Sequence, residues 1–450
     1  MTRRLPTNKR RSNPRYLLAA LFLLLPATAC GGLAAKIPDG AIDSGSDLLI
    51  AVASDTHYIT DKINDHGDAF QRFVSSGNGS LMNYSEEIME TLVYDMKDLS
   101  PDAMIISGDL TVNGEKESHT RMAEKLRNIE LSGKTRAYVI PGNHDILNPW
   151  ARGFKGGSQY VTDYITPEEF EEIYADFGYN EAVMRDASSL SYLAAPSKDV
   201  WLLMLDTCVY KTNIEYENPA VYGRILPETQ NWIRKCAELA HNNNARIIAV
   251  THHNLFIHNY TLHYGYTLDN AEEAEQLFSE CGIELVFSGH IHVQDIKNRE
   301  GIFEVASSSL LTYPHQFGVL SYKPGEGFDY SVKSVDVERW AGSIGSEDAN
   351  LLTFKSYAQK YYKDVSYNRT YGRLIDSGLY TENEAEEVAE MISALNVAYF
   401  SGRVDEIRDE LMASEGYRLA GKSSEPEFLT RYTRSMLYDY GISNVSLRLP

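Results

Sequence analysis

The strongest constraint on this chain of 450 residues is a set of five short apolar runs, each followed at once by side chains that bind divalent metal ions. Leu48–Ala53 leads into Asp55-Thr56-His57, Ala103–Ile106 into Gly108-Asp109, and Ala137–Ile140 into Gly142-Asn143-His144-Asp145. Ile247–Val250 leads into His252-His253, and Glu284–Phe287 into Gly289-His290-Ile291-His292. Short continuous apolar runs suit strands buried on both faces, and functional residues in such sheets sit at the strands' carboxyl ends. The order therefore predicts an α/β fold in which all five segments gather at one sheet edge. A lone histidine at a strand end is more often a hydrogen-bonded core residue than a ligand, but five such segments in order are hard to obtain by chance.

Carboxylate, imidazole and amide carbonyl without thiolate favour Mn, Fe or Zn in a catalytic role over a sulfur-rich structural zinc. Two such ions about 3.5–4 Å apart can clamp the attacking and leaving oxygens of an in-line displacement at phosphorus. Phosphoester hydrolysis with two divalent metal ions as cofactors is the expected chemistry.

At these residues the chain resembles the calcineurin-like metallophosphoesterase superfamily, whose pattern is D-x-H, GD, GNH[DE], a later His, and GHxH. The likeness spans roughly residues 48–335 and implies a two-sheet β-sandwich flanked by helices. It implies that one ion takes Asp55, His57 and His292, that the other takes Asn143, His252 and His290, and that Asp109 bridges both. By the same resemblance His144 lies just outside the ligands and serves the leaving oxygen or the phosphoryl charge, with Asp145 orienting its imidazole. Many relatives carry His-x-Pro in the fourth motif, where this chain reads Thr251-His252-His253-Asn254. The ligand there is His252 or His253; His252 follows the strand directly and is preferred, which leaves His253 to face the phosphate or a neighbouring group. A degenerate member that binds a partner without turnover is the alternative to an enzyme, and it fits poorly because no motif lacks a ligand.

The amino terminus reads as an export signal. Arg3, Arg4, Lys9, Arg10, Arg11 and Arg15 precede the apolar run Tyr16–Leu25, which is too short to span a bilayer with ease. The run ends in Ala27-Thr28-Ala29-Cys30, similar to a bacterial lipobox, so residues 1–29 are expected to be removed and Cys30 to carry the lipid, with residues 30–47 as a flexible tether. A plain signal peptide cleaved near Ala29 is the alternative. Localisation is then extracytoplasmic, with the cell membrane as a partner through the anchor. The formal charge of −21 becomes −27 once those six basic residues are gone. A nucleic-acid polymer would be repelled, which argues against a nuclease and favours small phosphoesters.

Beyond Cys30, only Cys208, Cys236 and Cys281 remain, in no metal-type spacing, and they read as buried free thiols. Helix signals alternate with the strands. Ser85 opens one helix to about Asp98, Thr166-Pro167-Glu168-Glu169 forms a capping box, and Pro227 opens a further helix with Trp232, Ile233, Cys236 and Leu239 inward. Late strands are expected near Gly318–Tyr322 and Phe328–Val335. Past Val337 the pattern turns helical, with a capping box at Thr381–Glu384 and further helices over Val404–Met412 and Glu427–Tyr438. A catalytic domain over 48–337 and an all-α C-terminal region over 338–450 are the expected division. That region is a partner-binding module, a lid, or a pack that covers the sheet.

Among branches of the superfamily, periplasmic 5′-nucleotidases carry a larger mixed C-terminal domain that is not legible here. Ser107-Gly108-Asp109-Leu110-Thr111 with Asn113-Gly114 resembles the GDLT-x-x-G segment of bacterial class III cyclic-nucleotide phosphodiesterases, some of which end in a helical domain of this size. The resemblance implies hydrolysis of phosphodiesters, first of all 3′,5′- or 2′,3′-cyclic nucleotides, by a hydroxide bridging the two ions. A phosphomonoesterase or glycerophosphodiesterase shares every ligand, and a surface-anchored binding protein on the same fold is the non-enzyme alternative. Substrate contacts are expected from Asn143, from His253, and from Tyr260 and Tyr264 in the aromatic loop Phe256–Tyr266. The insertions Thr60–Tyr84 and Asn148–Ile165 are pocket walls or surface loops.

Overall fold

The computed structural model describes residues 37–421, 427–438 and 442–450. The expected signal peptide and Cys30 lie outside the described residues. Among the described residues no helix is long and apolar enough to cross a membrane. The near end of the expected tether is fastened: Ile42 N–H donates to Pro196 O (3.0 Å) and Lys198 N–H to Ile42 O (2.9 Å).

The five apolar runs are strands. They are β1 (Leu48–Ala53), β2 (Ala103–Ile106), β3 (Arg136–Val139) and, later in the chain, β9 (Arg246–Val250) and β10 (Leu285–Ser288). Between them lie a hairpin of β4 (Arg152–Lys155) and β5 (Ser158–Val161), then β6 (Met184–Arg185), β7 (Tyr192–Ala194) and β8 (Val200–Met204). After β10 come β11 (Asp295–Arg299), β12 (Ile302–Ala306), β13 (Gln316–Lys323), β14 (Gly327–Ser334) and β15 (Ser446–Leu449). One sheet runs β15-β14-β13-β1-β2-β3 and the other β11-β12-β10-β9-β8-β7-β6. β1, β2 and β3 are mutually parallel, as are β8, β9, β10 and β12, so the carboxyl ends of all five motif strands are collected together.

Period-two alternation sorts the second sheet's side chains between two cores. Leu202, Met204, Ile248, Val250, Leu285 and Phe287 point into the core shared with the first sheet. Their neighbours Trp201, Leu203, Ile247, Ala249 and Val286 pack under the helices α5 (Pro227–Asn242) and α6 (Ala271–Glu280), against Trp232, Ile233, Cys236, Leu277 and Phe278. Burial of two faces explains why these strands read as continuous apolar runs. Before those helices the chain forms α1 (Asp68–Ser76), α2 (Ser85–Leu99), α3 (Lys116–Ser132) and α4 (Pro167–Ile173). Thr166 and Glu169 make the reciprocal capping-box bonds at α4. Ser85, by contrast, does not cap: it is the first residue of α2, and its hydroxyl accepts from Ile59 N–H at 3.1 Å.

The C-terminal region consists of α7 (Val337–Ser343), α8 (Ala349–Leu352), α9 (Phe354–Ser377), α10 (Glu382–Phe400), α11 (Arg408–Ala413), α12 (Glu415–Ala420) and α13 (Glu427–Leu437). Its end departs from the all-α expectation, because β15 returns to the first sheet and pairs antiparallel with β14. The region's core also joins the sandwich. Ile291, Val293 and Ala306 pack with Val388, Met391, Ile392, Leu395 and Tyr399 of α10, so the loop bearing His290 and His292 is pinned from behind.

Candidate metal centre

Two ligand sets converge at the strand ends. Asp55, His57, Asp109 and His292 each offer a ligand atom, as do Asp109, His252 and His290, and within each set these atoms all lie within 4.8 Å of one another. Asp109 belongs to both. Asn143 joins the second set through Oδ1, 3.1 Å from His252 Nε2.

The backbone is distorted to achieve this. Asp55, His57, Asp109, His290 and His292 all have positive φ, at 51°, 36°, 49°, 68° and 61°. Each such residue costs on the order of 1 kcal/mol or more, and strain of this kind persists where the surrounding structure over-determines it. Two motif glycines permit the close approach. A Cβ at Gly142 would lie 2.1 Å from Asp109 N, and one at Gly289 would lie 1.9 Å from Ser54 Oγ.

The donor set fits divalent cations. Asp55 Oδ1 is buried and accepts no hydrogen bond among the described residues, yet it faces His292 Nε2 at 3.2 Å and His57 Nε2 at 3.8 Å. His57 Nε2 and His292 Nε2 face each other at 3.0 Å, so with both nitrogens unprotonated, as metal ligation requires, their lone pairs would converge where a cation would sit. His252 Nδ1–H donates to Ser107 O (2.9 Å) and His290 Nε2–H to Gly265 O (3.0 Å), which fixes their tautomers and leaves the other nitrogen of each to bind. Burial drives His57 and His290 down to about 3, keeping them neutral. Burial raises Asp109, but the charges of His252 and His144 outweigh it and hold the carboxyl well below its usual range. Burial also lowers His252, but Asp109 overrides it and pushes the ring up to about 9, so the carboxylates draw positive charge into the centre.

The fourth motif resolves onto His252. His253 is fully buried, and both its nitrogens are taken, Nδ1 by Thr207 Oγ1 (2.8 Å) and Nε2 by Val221 O (3.1 Å). It offers no ligand atom to either set and does not face substrate; of the two expected roles the geometry gives it the neighbouring group, its ring centroid 4.6 Å from that of His290 and 5.2 Å from that of His252. Asn254, standing where relatives carry proline, donates Nδ2–H to Ser288 Oγ (2.9 Å) and Gly289 O (3.0 Å), tying this motif to the GHxH loop.

His144 sits beside the ligands, its ring centroid 5.0 Å from that of His57. Asp145 does not orient it. The Asp145 carboxylate accepts from Leu110 N–H, Thr111 N–H, Thr111 Oγ1–H and Gly142 N–H, at 2.8–3.0 Å, and thereby locks the GD and GNH loops together. The imidazole is held instead by Val112 O, which accepts from Nδ1–H at 2.6 Å. Chain reversal after His144 points the neighbouring carboxylate inward, which adjacency in sequence does not reveal.

Tyr260 and Tyr264 also depart from expectation, being 72% and 89% exposed. Their loop is anchored through its backbone, with Tyr260 N–H donating to Ser435 Oγ (3.0 Å), so the rings turn outward. Tyr266, missed as an individual residue, is the aromatic that meets the centre, 4.9 Å from the His290 ring. It lines a chamber of about 640 Å³ with His290 and His292 on one side and residues of α9, α10 and α13 on the other, among them Arg369, Asn396 and Tyr432. A second chamber, of about 470 Å³, opens on His57, His144 and His292 and is walled by α1 and the β4–β5 hairpin. Both insertions singled out in the sequence thus contribute walls.

A strand-end site with two carboxylate–imidazole sets sharing one aspartate defines a metal-dependent phosphoric ester hydrolase. Residues 48–294 match the calcineurin-like phosphoesterase family, and the chain belongs to it. Residues 336–441 match the C-terminal domain of cyclic nucleotide phosphodiesterase. Among solved structures, a dimetal phosphatase from Danio rerio is similar at 10% identity and a TM-score of 0.46, covering 66% of this chain and 96% of the other. A purple acid phosphatase from yellow lupin seeds is similar at 13% identity and a TM-score of 0.41, covering 65% and 52%. Among curated proteins none matches.

Proposed function

We propose that the enzyme hydrolyses phosphodiesters of nucleotides, cyclic nucleotides above all. The observation that carries this reading is that the helical region matching the C-terminal domain of cyclic nucleotide phosphodiesterase walls a chamber opening on His290 and His292. A nucleotide with its phosphorus at the two ligand sets would lie between that wall and the chamber beside His144. Two divalent ions bound there would act as Lewis acids on the phosphoryl group and activate water at neutral pH. Asn143 would hold a non-bridging oxygen as well as ligate. His144, with Nδ1–H committed to Val112 O, has Nε2 left for the departing ribose oxygen and in its protonated form donates to it. Export, and anchoring through Cys30, belong to the same proposal and rest on the sequence of residues 1–30.

The test is a comparison of kcat/KM for the Mn-reconstituted protein on 3′,5′- and 2′,3′-cyclic nucleotides, a nucleoside monophosphate and a glycerophosphodiester. A cyclic nucleotide is expected to lead. A lead for the monophosphate or the glycerol ester would replace the reading by one of those activities. No turnover of any of the four with metal bound would leave a binding protein.

A further inference from the structure

Two segments that supply no metal ligand meet beside His144. α1 with the loop after it, and the β4–β5 hairpin, close the chamber of about 470 Å³ whose inner end is formed by His57, His144 and His292. Its size lies within the range of small-molecule sites, about 300–1,000 Å³.

The walls are aromatic. Phe73 and Phe154 lie with ring centroids 5.1 Å apart and planes tilted by 36°, while Trp150 stands at the mouth, 46% exposed, its Nε1–H donating to Glu217 O (3.3 Å). Inside, Asn113 is 8% exposed and lines the same space. Its backbone N–H donates to Glu115 Oε2 (3.0 Å), but its side-chain amide makes no hydrogen bond among the described residues. An amide holds one acceptor and two donors, and here they face an open chamber where water or a ligand reaches them.

We infer that this chamber is the subsite for the planar base of the substrate, which lies between Phe73, backed by Phe154, and Trp150, and bonds the Asn113 amide through its edge. The inference rests on the nucleotide reading above and deepens it, placing the base on the His144 side of the metal ligands. Every nucleobase has a face that stacks on aromatic carbon and an edge carrying both donors and acceptors, whereas a ribose or glycerol group has no flat face. A base held there also brings the departing ribose oxygen beside His144. The helical region fixes one border of the chamber at a distance, because Arg369 donates from Nη1 to Asn78 Oδ1 (2.6 Å) and from Nη2 to Gly77 O (2.9 Å).

The test uses two ligands that share sugar and phosphate and differ only in the base. Adenosine 5′-monophosphate and ribose 5-phosphate are titrated into the full, Mn-loaded protein by calorimetry, with tryptophan fluorescence followed in parallel. The adenine ligand is expected to bind about tenfold more tightly or better, and to change a fluorescence signal that Trp150→Phe abolishes. Trp150→Ala, at an exposed position whose loss threatens no core, and Asn113→Ala should each narrow that preference. Equal affinity for the two ligands, or a preference that survives both alanine substitutions, overturns the subsite. Cyclic-nucleotide turnover on the same preparation separates this from the functional reading. Base-dependent binding without cyclic turnover would sink the cyclic-diester proposal and leave the subsite standing, and cyclic turnover without base preference would do the reverse.

Discussion

His57 Nε2 and His292 Nε2, from motifs 235 residues apart, face each other at 3.0 Å beside a buried Asp55 oxygen that accepts no hydrogen bond among the described residues. A cation held by these two nitrogens and the carboxylate oxygen would tie the three together, so the centre should be more stable loaded than stripped. Chelation is expected to lower Tm, and readdition of Mn to restore it by mass action. Because Asp109 belongs to both ligand sets, Asp109→Ala should lower metal content below that of His57→Ala, which removes a ligand from one set only. Elemental analysis of the purified variants decides it, and equal metal loss from the two would contradict a shared ligand.

His144 should separate metal binding from turnover. His144→Ala leaves both ligand sets intact and is expected to keep its metal. It should lose about 10²–10⁴-fold in kcat on a diester with an alkoxide leaving group. The loss should shrink on a 4-nitrophenyl diester, whose leaving group needs no proton. Full activity of the variant on the alkoxide diester would sink the acid role.

Asp145 should behave differently, because its carboxylate joins two loops. Asp145→Ala leaves Leu110 N–H and Gly142 N–H without their acceptor in a buried site, at a cost of about 1–3 kcal/mol for each unsatisfied group. A fall in Tm with loss of metal is expected, in contrast to His144→Ala. Thermal melts of the two variants side by side check it.

The strands and the ligands were legible because their signals are local: an apolar run, then a ligand, within a few residues. The two insertions that carry Phe73 and Trp150 were legible as wall candidates, but their meeting in one chamber, bordered by Arg369 of α9, was not, since three distant segments come together only in the folded chain. α9 was missed as an element because its buried positions, Phe354, Ala358, Tyr362 and Leu374, make a thin stripe among half-buried tyrosines and exposed charges. The orienting role of Asp145 and the substrate contact of His253 failed for a common reason. Each is next in sequence to a site residue, but the turn that presents one side chain to the centre points its neighbour into the protein.

Ile291 tests whether the helical region supports the metal centre. It lies between two ligands and packs with Met391, Leu395 and Tyr399 on the α10 side. Ile291→Ala should cost about 2–5 kcal/mol in stability and weaken metal binding although no ligand is altered. Met391→Ala, on the helical side of the same contact, should weaken metal binding in the same direction. Unchanged metal affinity in both would mean that the helices only cover the sheet.

A buried charge cluster between the aromatic loop and the second sheet should set the pH dependence of stability. His258 Nδ1 lies 2.7 Å from Asp295 Oδ2, and His258 Nε2 lies 3.1 Å from Glu304 Oε2, with Lys297 Nζ 3.3 Å from the same Asp295 oxygen. Burial lowers the imidazole, but the Glu304 charge and the Asp295 bond override it and push the group up to about 9. A folded value above the unfolded one of about 6.5 means that the contribution is complete below pH 6.5 and is lost as pH rises through 9. The shift corresponds to about 3 kcal/mol. Urea unfolding of the wild type and of His258→Asn should therefore show a large stability gap at pH 6.5 that narrows toward pH 10. The loop backbone passes the effect on, since His258 O accepts from Tyr399 O–H of α10 at 3.2 Å. A gap that stays constant across this range would show that His258 is neutral in the folded protein.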